Sequence, residues 1–255
     1  MTIGAYQEAV PRLFVQGLYD ESSTALQRIG TVRELDDGRK FVYARAGAAG
    51  LAVSKLTQQV AHAGADHLEC VVADTAIGAT RISVTLNGTT TAAAANLYKD
   101  GYLWINKSTG IGHMYKIRGH KAIAVGAAGF FELYDPIRVA AAASAEASLM
   151  KHPQDGVVIH PSPPTGAIAG VPPIAVTAAY YFWNQVKGVC PILTVGTIVA
   201  GKRAVASITV DGGVDPVVLT EGTPNTGFDQ QFVGNVLVVN ITAEYSLIEL
   251  AVPGY

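Results

Sequence analysis

The chain has 255 residues, of which 49% are hydrophobic and only 15% are charged, and its formal net charge is -2. This balance excludes the global positive field with which proteins attract nucleic acid, so we expect no nucleic-acid partner. An average globular domain is about 25% charged. We therefore expect part of the apolar surface to be buried between subunits.

Residues 1–66 are predicted to form an extended N-terminal arm, because their apolar segments are short and weakly periodic. Within this stretch, Asp37-Gly38 is a turn signal between the runs VREL and KFVYAR, which predicts a short hairpin. The apolar residues of the stretch 50–61 have loosely helical spacing, which predicts a short helix. We expect the arm to pack on another part of an assembly, since it cannot form a core of its own.

Residues 67–150 are predicted to form a β-barrel or sandwich domain. Short runs rich in Val, Ile, Tyr and Phe are separated by turn signals at near-regular spacing, in the order HLECVV, TRISVTL, GYLWIN, HMYKI, AIAVG and FFELY. Asn87-Gly88 is the strongest hairpin signal, since both residues tolerate the positive φ of a type I′ turn. The alanine-rich stretch 140–151 is compatible with either a short helix or a spacer.

Residues 151–255 are predicted to form a second β domain, entered through the proline-rich stretch 161–173 (PSPPTGAIAGVPP). That stretch should be an extended loop on the surface. Beyond it β patterning resumes, and Asp211-Gly212-Gly213 is a further turn signal. The predicted fold class is therefore mainly β, with small β-barrel or sandwich domains and an extended N-terminal arm.

A tight aromatic cluster in the second β domain supplies the candidate site residues: Tyr180, Tyr181, Phe182 and Trp183. On a strand, alternation places Tyr180 and Phe182 on one face and the other two on the opposite face. Both faces are then bulky, as in a strand between a core and a neighbouring subunit, so these four are candidate subunit-core or interface aromatics. The alternative is a platform on which sugars or bases stack.

The residues that carry enzyme chemistry do not form a recognisable pattern in this sequence. The six histidines lack metal-ligand spacing, and no G-x-S-x-G motif is present. The stretch 196–203 (GTIVAGKR) matches a phosphate loop until Arg203, which stands where the loop requires a hydroxyl. The expectation is a protein without catalytic residues, cofactor or metal. Acidic residues that converge around an exposed aromatic ring would instead favour a sugar-binding module or hydrolase.

The cellular setting follows from the cysteines and the hydropathy. Cys70 and Cys190 each lie in an apolar run, and we expect both to be buried free thiols. No uncharged apolar run approaches the roughly 18 residues of a spanning helix, and Met1 to Val10 lacks the pattern of a signal peptide. We therefore expect no membrane partner and synthesis in a reducing cytoplasm. After Arg203 the chain has no Lys or Arg, which indicates either a solvated acidic face or a surface that docks on a basic neighbour.

Several stretches resemble head proteins of tailed bacteriophages. The run Tyr181 to Gly188 (YFWNQVKG), followed by Thr197 to Gly201 (TIVAG) and Ala206-Ser207, is similar to an aromatic-x-Trp-x-Gln-x-x-Gly strand that precedes a Gly-Thr-Val-x-x-Gly hairpin in such proteins, some of which are capsid decoration (cement) proteins. The stretches 32–47, 97–116 and 133–137 also resemble β segments of phage virion proteins. Together these stretches cover about a fifth of the chain.

The resemblance implies a non-enzymatic capsid decoration protein, made in the host cytoplasm and located on the outer capsid surface of the virion. Its implied partners are the major capsid protein and further copies of itself, as a homotrimer. The physical features agree, because many weak contacts repeated over a lattice stabilise it by multivalency. The alternatives are a phage tail component, which is also β-rich, and a sugar-binding adhesin or hydrolase module.

Overall fold

The computed structural model describes residues 14–62, 64–217, 230–241 and 243–254. These residues are almost entirely β, as predicted; the one short helix among them is a 3-10 turn at Ala65–His67. The strands in chain order are β1 Val32–Glu34, β2 Lys40–Ala46, β3 Thr57–Gln58, β4 Cys70–Val72, β5 Arg81–Thr85, β6 Tyr102–Lys107, β7 Met114–His120, β8 Ala128–Leu133, β9 Glu146–Met150, β10 Asp155–Ile159, β11 Ile168–Gly170, β12 Tyr181–Leu193, β13 Arg203–Ala206, β14 Val214–Pro216, β15 Phe232–Val238 and β16 Tyr245–Ala251.

Strands β4 to β9 form a closed six-stranded barrel in the order β4-β5-β8-β7-β6-β9. Its core is a single cluster of buried side chains, all of which lie between Cys70 and Leu149. The barrel therefore fills its interior with residues of one continuous stretch of sequence, as small barrels do.

The barrel is closed by the alanine-rich stretch, which is neither a helix nor a spacer. Strand β9 pairs with β4 on one side and with β6 on the other. Ala145, Ala147 and Leu149 are fully buried in the barrel core. Pairing with two strands overrides the helix preference of alanine, and small side chains fit the crowded barrel interior.

The remaining strands form a large sheet in the order β11-β3-β10-β2-β12-β16-β15-β13-β14, with β1 paired to β2. Strand β12 has 13 residues and pairs antiparallel with β2 over its first half and with β16 over its second half. Two isolated bridges connect the ends of the sheet to this strand. Val171, which follows β11, bridges to Gln185 of β12, and Val214 of β14 bridges to Thr194, which follows β12. The aromatic stretch therefore lies on the strand around which the sheet is arranged.

The prediction of an extended N-terminal arm is wrong for the described part of residues 1–66, which contributes strands to the large sheet. Strand β2 lies between β10 and β12 in the large sheet, and its residues Phe41 to Ala44 are fully buried. The sheet thus combines strands that precede the barrel in sequence with strands that follow it. Residues 1–13 lie outside the described residues. The sequence did not reveal this arrangement because β10 and β12, between which β2 lies, are more than 100 residues away from it.

The local turn predictions had mixed outcomes. Asp37-Gly38 does connect β1 to β2 as a hairpin, with Val32 opposite Val42. The predicted turn at Asp211-Gly212-Gly213 lies in the stretch 207–213, which connects β13 to β14. Asn87-Gly88 does not form a hairpin, because β5 pairs with β4 and β8 instead of with the next strand. Asn87 N donates to Asp66 O in a loop over the barrel end.

Two further predictions were wrong. The stretch 50–61 contains β3 and no helix, because it pairs with β10 and β11. The proline-rich stretch is only partly a surface loop, since its residues Ile168 to Pro172 are buried and include β11. Gly170, at φ 144°, permits this burial: a Cβ there would lie 2.5 Å from Gln185 O.

Candidate functional site

The four candidate aromatics separate onto two faces of the chain, as alternation predicts. Phe182 is fully buried in a cluster with Ala44, Val157 and Val176, and Tyr180 packs against the edge of that cluster. Trp183 is fully buried with Phe41 and Tyr43, and Tyr181 packs against this second cluster. Both faces of the strand are therefore covered by side chains.

The Trp183 face is covered by the chain's own N-terminal residues. Phe14 meets the Trp183 ring edge-on, with ring centroids 5.2 Å apart. Trp183 Nε1 donates to Gln16 O over 3.2 Å. The buried Gln16 side chain donates to Tyr181 O and accepts from the Tyr43 hydroxyl over 2.6 Å. Trp183 thus holds the segment that contains Gln16 against the sheet, which is a structural role.

Tyr181, one of the candidate aromatics, lines a cavity. A cleft of about 560 Å³ lies where the barrel meets the large sheet, and Tyr181 lines it. The ring is half-buried and stacks on Tyr43, with centroids 5.9 Å apart and planes within 10°. The cleft is otherwise lined by the loop residues Ala25, Leu26, Gln27, Arg28 and Ile29, by Arg45 and Asp155 of the sheet, and by Ala95, Asn96, Lys99 and Asp100 at the barrel.

Two carboxylates converge in this cleft, and both are buried. Asp155 accepts from Arg45 Nε over 2.6 Å, and its side chain is only 5% exposed. Asp100 accepts from the Tyr134 hydroxyl over 2.8 Å and is 4% exposed. Burial raises the pKa of Asp155 above its ordinary value; Arg45 opposes this shift, and Asp100 adds to it. A buried carboxyl with a shifted pKa in a cleft marks a candidate functional site.

Basic side chains provide the other charges of the cleft. Arg28 and Lys99 are exposed and belong to different walls, the loop 25–29 and the loop 95–100. The Arg28 guanidinium lies 4.8 Å from the centroid of the Tyr134 ring, a cation–π contact that ties the first loop to the barrel. Asn96 and Asp100 both have left-handed backbone conformations, at φ 59° and 61°. Asn and Asp adopt this conformation more readily than other non-glycine residues, so the loop 95–100 is a tight turn.

Sequence reasoning missed this cleft. Asp100 precedes Gly101, and Asp155 precedes Gly156, so both resemble ordinary turn residues. Only the docking of the barrel on the sheet brings the two carboxylates into one cavity. The sequence analysis did state that acidic residues converging around an exposed aromatic ring would favour a sugar-binding module or hydrolase. It could not say which acidic residues converge.

A second candidate surface is apolar and exposed. Burial alternates along β16, so that Tyr245 and Leu247 face solvent while Ile248 and Leu250 are buried. Neighbouring strands continue this exposure: Val189 of β12 is 47% exposed, and Ile241 beyond β15 is 71% exposed. We call this surface the hairpin patch and define it as Val189, Leu237, Val238, Val239, Ile241, Tyr245 and Leu247.

The thiols and histidines offer no comparable site within the described ranges. Cys70 and Cys190 are free and buried, as expected, and burial raises the pKa of the Cys190 thiol to about 12, which keeps it protonated. No group of three or more His, Cys, Asp or Glu side chains that could hold a metal ion occurs in the described part of the chain. The His160 side chain is fully buried, and neither of its ring nitrogens has a hydrogen-bond partner among the described residues.

Comparisons with protein-family models, with curated proteins and with solved structures found no match for this chain. Among the residues described, no helix is long and apolar enough to cross a membrane.

Proposed function

We propose that this protein is a non-enzymatic structural component of a phage virion, a decoration protein that binds the outside of the head lattice and stabilises it. The hairpin patch is the observation that carries the proposal. Large apolar side chains exposed on three neighbouring strands, β12, β16 and β15, and in the loop that follows β15 are typical of a protein–protein interface. The charged fraction of 15% agrees with a chain whose surface is partly covered in an assembly.

The first occupant of the patch is a further copy of the same chain, in a homotrimer. The strand faces that carry the patch also carry Lys187 and Glu249, both exposed. A contact between copies therefore has both charge signs available at the edge of an apolar centre, as in protein interfaces generally. The resemblance to decoration proteins supports the trimer, and the major capsid protein is the second proposed partner.

The residues of the run that resembles head proteins lie inside the fold. Trp183, Asn184 and Gln185 of the aromatic-x-Trp-x-Gln run are buried at the centre of the large sheet. They hold strands together, which is the role expected of a motif in a rigid structural protein. The barrel and the sheet would then supply a stiff body with repeated weak contacts to the lattice, and multivalency would supply the affinity.

The proposal is tested by adding the full-length protein to expanded heads and measuring co-sedimentation and the melting temperature of the heads. Bound protein should raise the melting temperature, because a ligand that binds only the assembled lattice stabilises it. Leu247→Glu should abolish trimers in analytical ultracentrifugation, whereas Ile111→Glu should not, since Ile111 is 62% exposed on a barrel loop outside the patch. A monomeric wild-type protein that neither binds heads nor changes their melting would refute the proposal.

A further inference from the structure

The cleft between the barrel and the large sheet separates acidic from basic side chains, an arrangement that the virion role does not require. Its floor holds the buried carboxylates of Asp100 and Asp155, each fixed by a donor from its own part of the fold. Its rim holds the exposed cations Arg28 and Lys99. A ligand that complements the floor and the rim must carry hydrogen-bond donors for the carboxylates and a negative charge for the two cations.

The buried charges of the floor constrain that ligand further. Arg45 already neutralises Asp155, so the floor is an array of fixed acceptors rather than a cation site. Carboxylates accept hydrogen bonds and cannot donate when ionised. Hydroxyl groups are suitable partners, because they donate to carboxylates without bringing a charge into the buried floor.

The size and the aromatic wall agree with a small polyhydroxylated ligand. The cavity volume of about 560 Å³ lies within the range of small-molecule sites. Tyr181 lines the cleft with a ring that is held in place by stacking on Tyr43 and by the hydrogen bond of its backbone oxygen to Gln16. A fixed ring of this kind offers an apolar surface to the C–H face of a sugar.

We propose that this cleft binds a saccharide that carries a carboxylate, with the ligand's carboxylate between Arg28 and Lys99 and its hydroxyls toward Asp100 and Asp155. A phosphate dianion fits less well, since the two carboxylates repel it more strongly. A neutral sugar brings no negative charge to Arg28 and Lys99. This inference is independent of the virion role, because the cleft and the hairpin patch share no residue.

The test is a titration of the isotopically labelled full-length protein, followed by nuclear magnetic resonance, with glucuronic acid as the probe. Glucose is the neutral control, and inorganic phosphate is the anion control. Glucuronic acid should shift the backbone amides of the loops 25–29 and 95–100 in a saturable manner. Its dissociation constant should be about tenfold lower than that of glucose, the size expected when a charge-assisted hydrogen bond is gained.

The variant Arg28→Gln/Lys99→Gln should abolish the preference for glucuronic acid over glucose, while the single change Lys202→Gln should preserve it. All three side chains are exposed, so the fold should persist, and an unchanged melting temperature checks this. Absence of saturable shifts with glucuronic acid would overturn the proposal. So would equal affinity for glucose, equal or tighter binding of phosphate, or a preference that survives in the double variant.

Discussion

At the scale of single residues, Trp183 has the largest predicted effect on stability. Trp183→Ala removes a fully buried ring and its hydrogen bond to Gln16 O. We expect the free energy of unfolding to fall by about 3–5 kcal/mol. The measurement is denaturant unfolding followed by circular dichroism. Trp104→Ala is the matched control, since Trp104 is only half-buried on the barrel wall. This variant should lower the free energy of unfolding by clearly less than Trp183→Ala does. Equal decreases would contradict the assignment of Trp183 to the core.

Gly170 provides a second test at this scale. A methyl group at this position would meet the backbone oxygen of Gln185 at 2.5 Å, between β11 and β12. Gly170→Ala should therefore be destabilising by about 1–3 kcal/mol more than Gly64→Ala. Gly64 also has a positive φ, but a Cβ there meets nothing within 4 Å, so it controls for backbone strain. Equal melting temperatures of the two variants would show that β11 does not approach β12 so closely.

At the scale of elements, the barrel is built from one continuous stretch of sequence, whereas the large sheet combines strands from both sides of that stretch. All strands of the barrel lie between residues 70 and 150, and its core is drawn from the same stretch. We expect the fragment 64–152 to fold alone, with a β-type circular dichroism spectrum and a single cooperative thermal transition. A fragment that melts without cooperativity would show that the barrel depends on the sheet.

The large sheet should not fold without the residues that precede the barrel. Strand β2 supplies the pairing partner of β12 and the buried side chains Phe41 and Tyr43. The fragment 67–255 lacks β2, so we expect its barrel to melt cooperatively while its sheet does not. Hydrogen exchange of the β12 amides measures this directly, and protection equal to that of the full chain would refute it.

At the scale of the whole molecule, buried histidines should make stability depend on pH. His120 in the barrel, His152 at the junction and His160 beside the sheet are all buried, and burial lowers the pKa of each, to about 4 for His152. An unfolded histidine has a pKa of about 6.5. The unfolded chain therefore binds more protons between these values, and the free energy of unfolding should fall as pH falls from about 6.5 to about 4.

His152 alone should contribute a change on the order of 3 kcal/mol over that interval. Asp155 acts in the opposite sense, since burial raises its pKa and the folded state therefore binds its proton more tightly than the unfolded chain does. The measurement is denaturant unfolding at pH 7 and pH 5 for the wild type and for His152→Gln. The variant should show a smaller difference between the two pH values, and an unchanged difference would indicate that His152 is not protonated on unfolding.

The sequence by itself determined the β class, a β region over residues 67–150 that is either a barrel or a sandwich, the hairpin at Asp37-Gly38 and the two-faced packing of Tyr180 to Trp183. These features follow from local signals: side-chain alternation, β-branched and aromatic runs, and turn residues with suitable φ. The tertiary structure alone decided that β2 lies between β10 and β12, that the alanine-rich stretch closes the barrel, and that Asp100 and Asp155 share a cleft. Each of these depends on pairing or docking between distant parts of the chain, for which residue order carries no local signal.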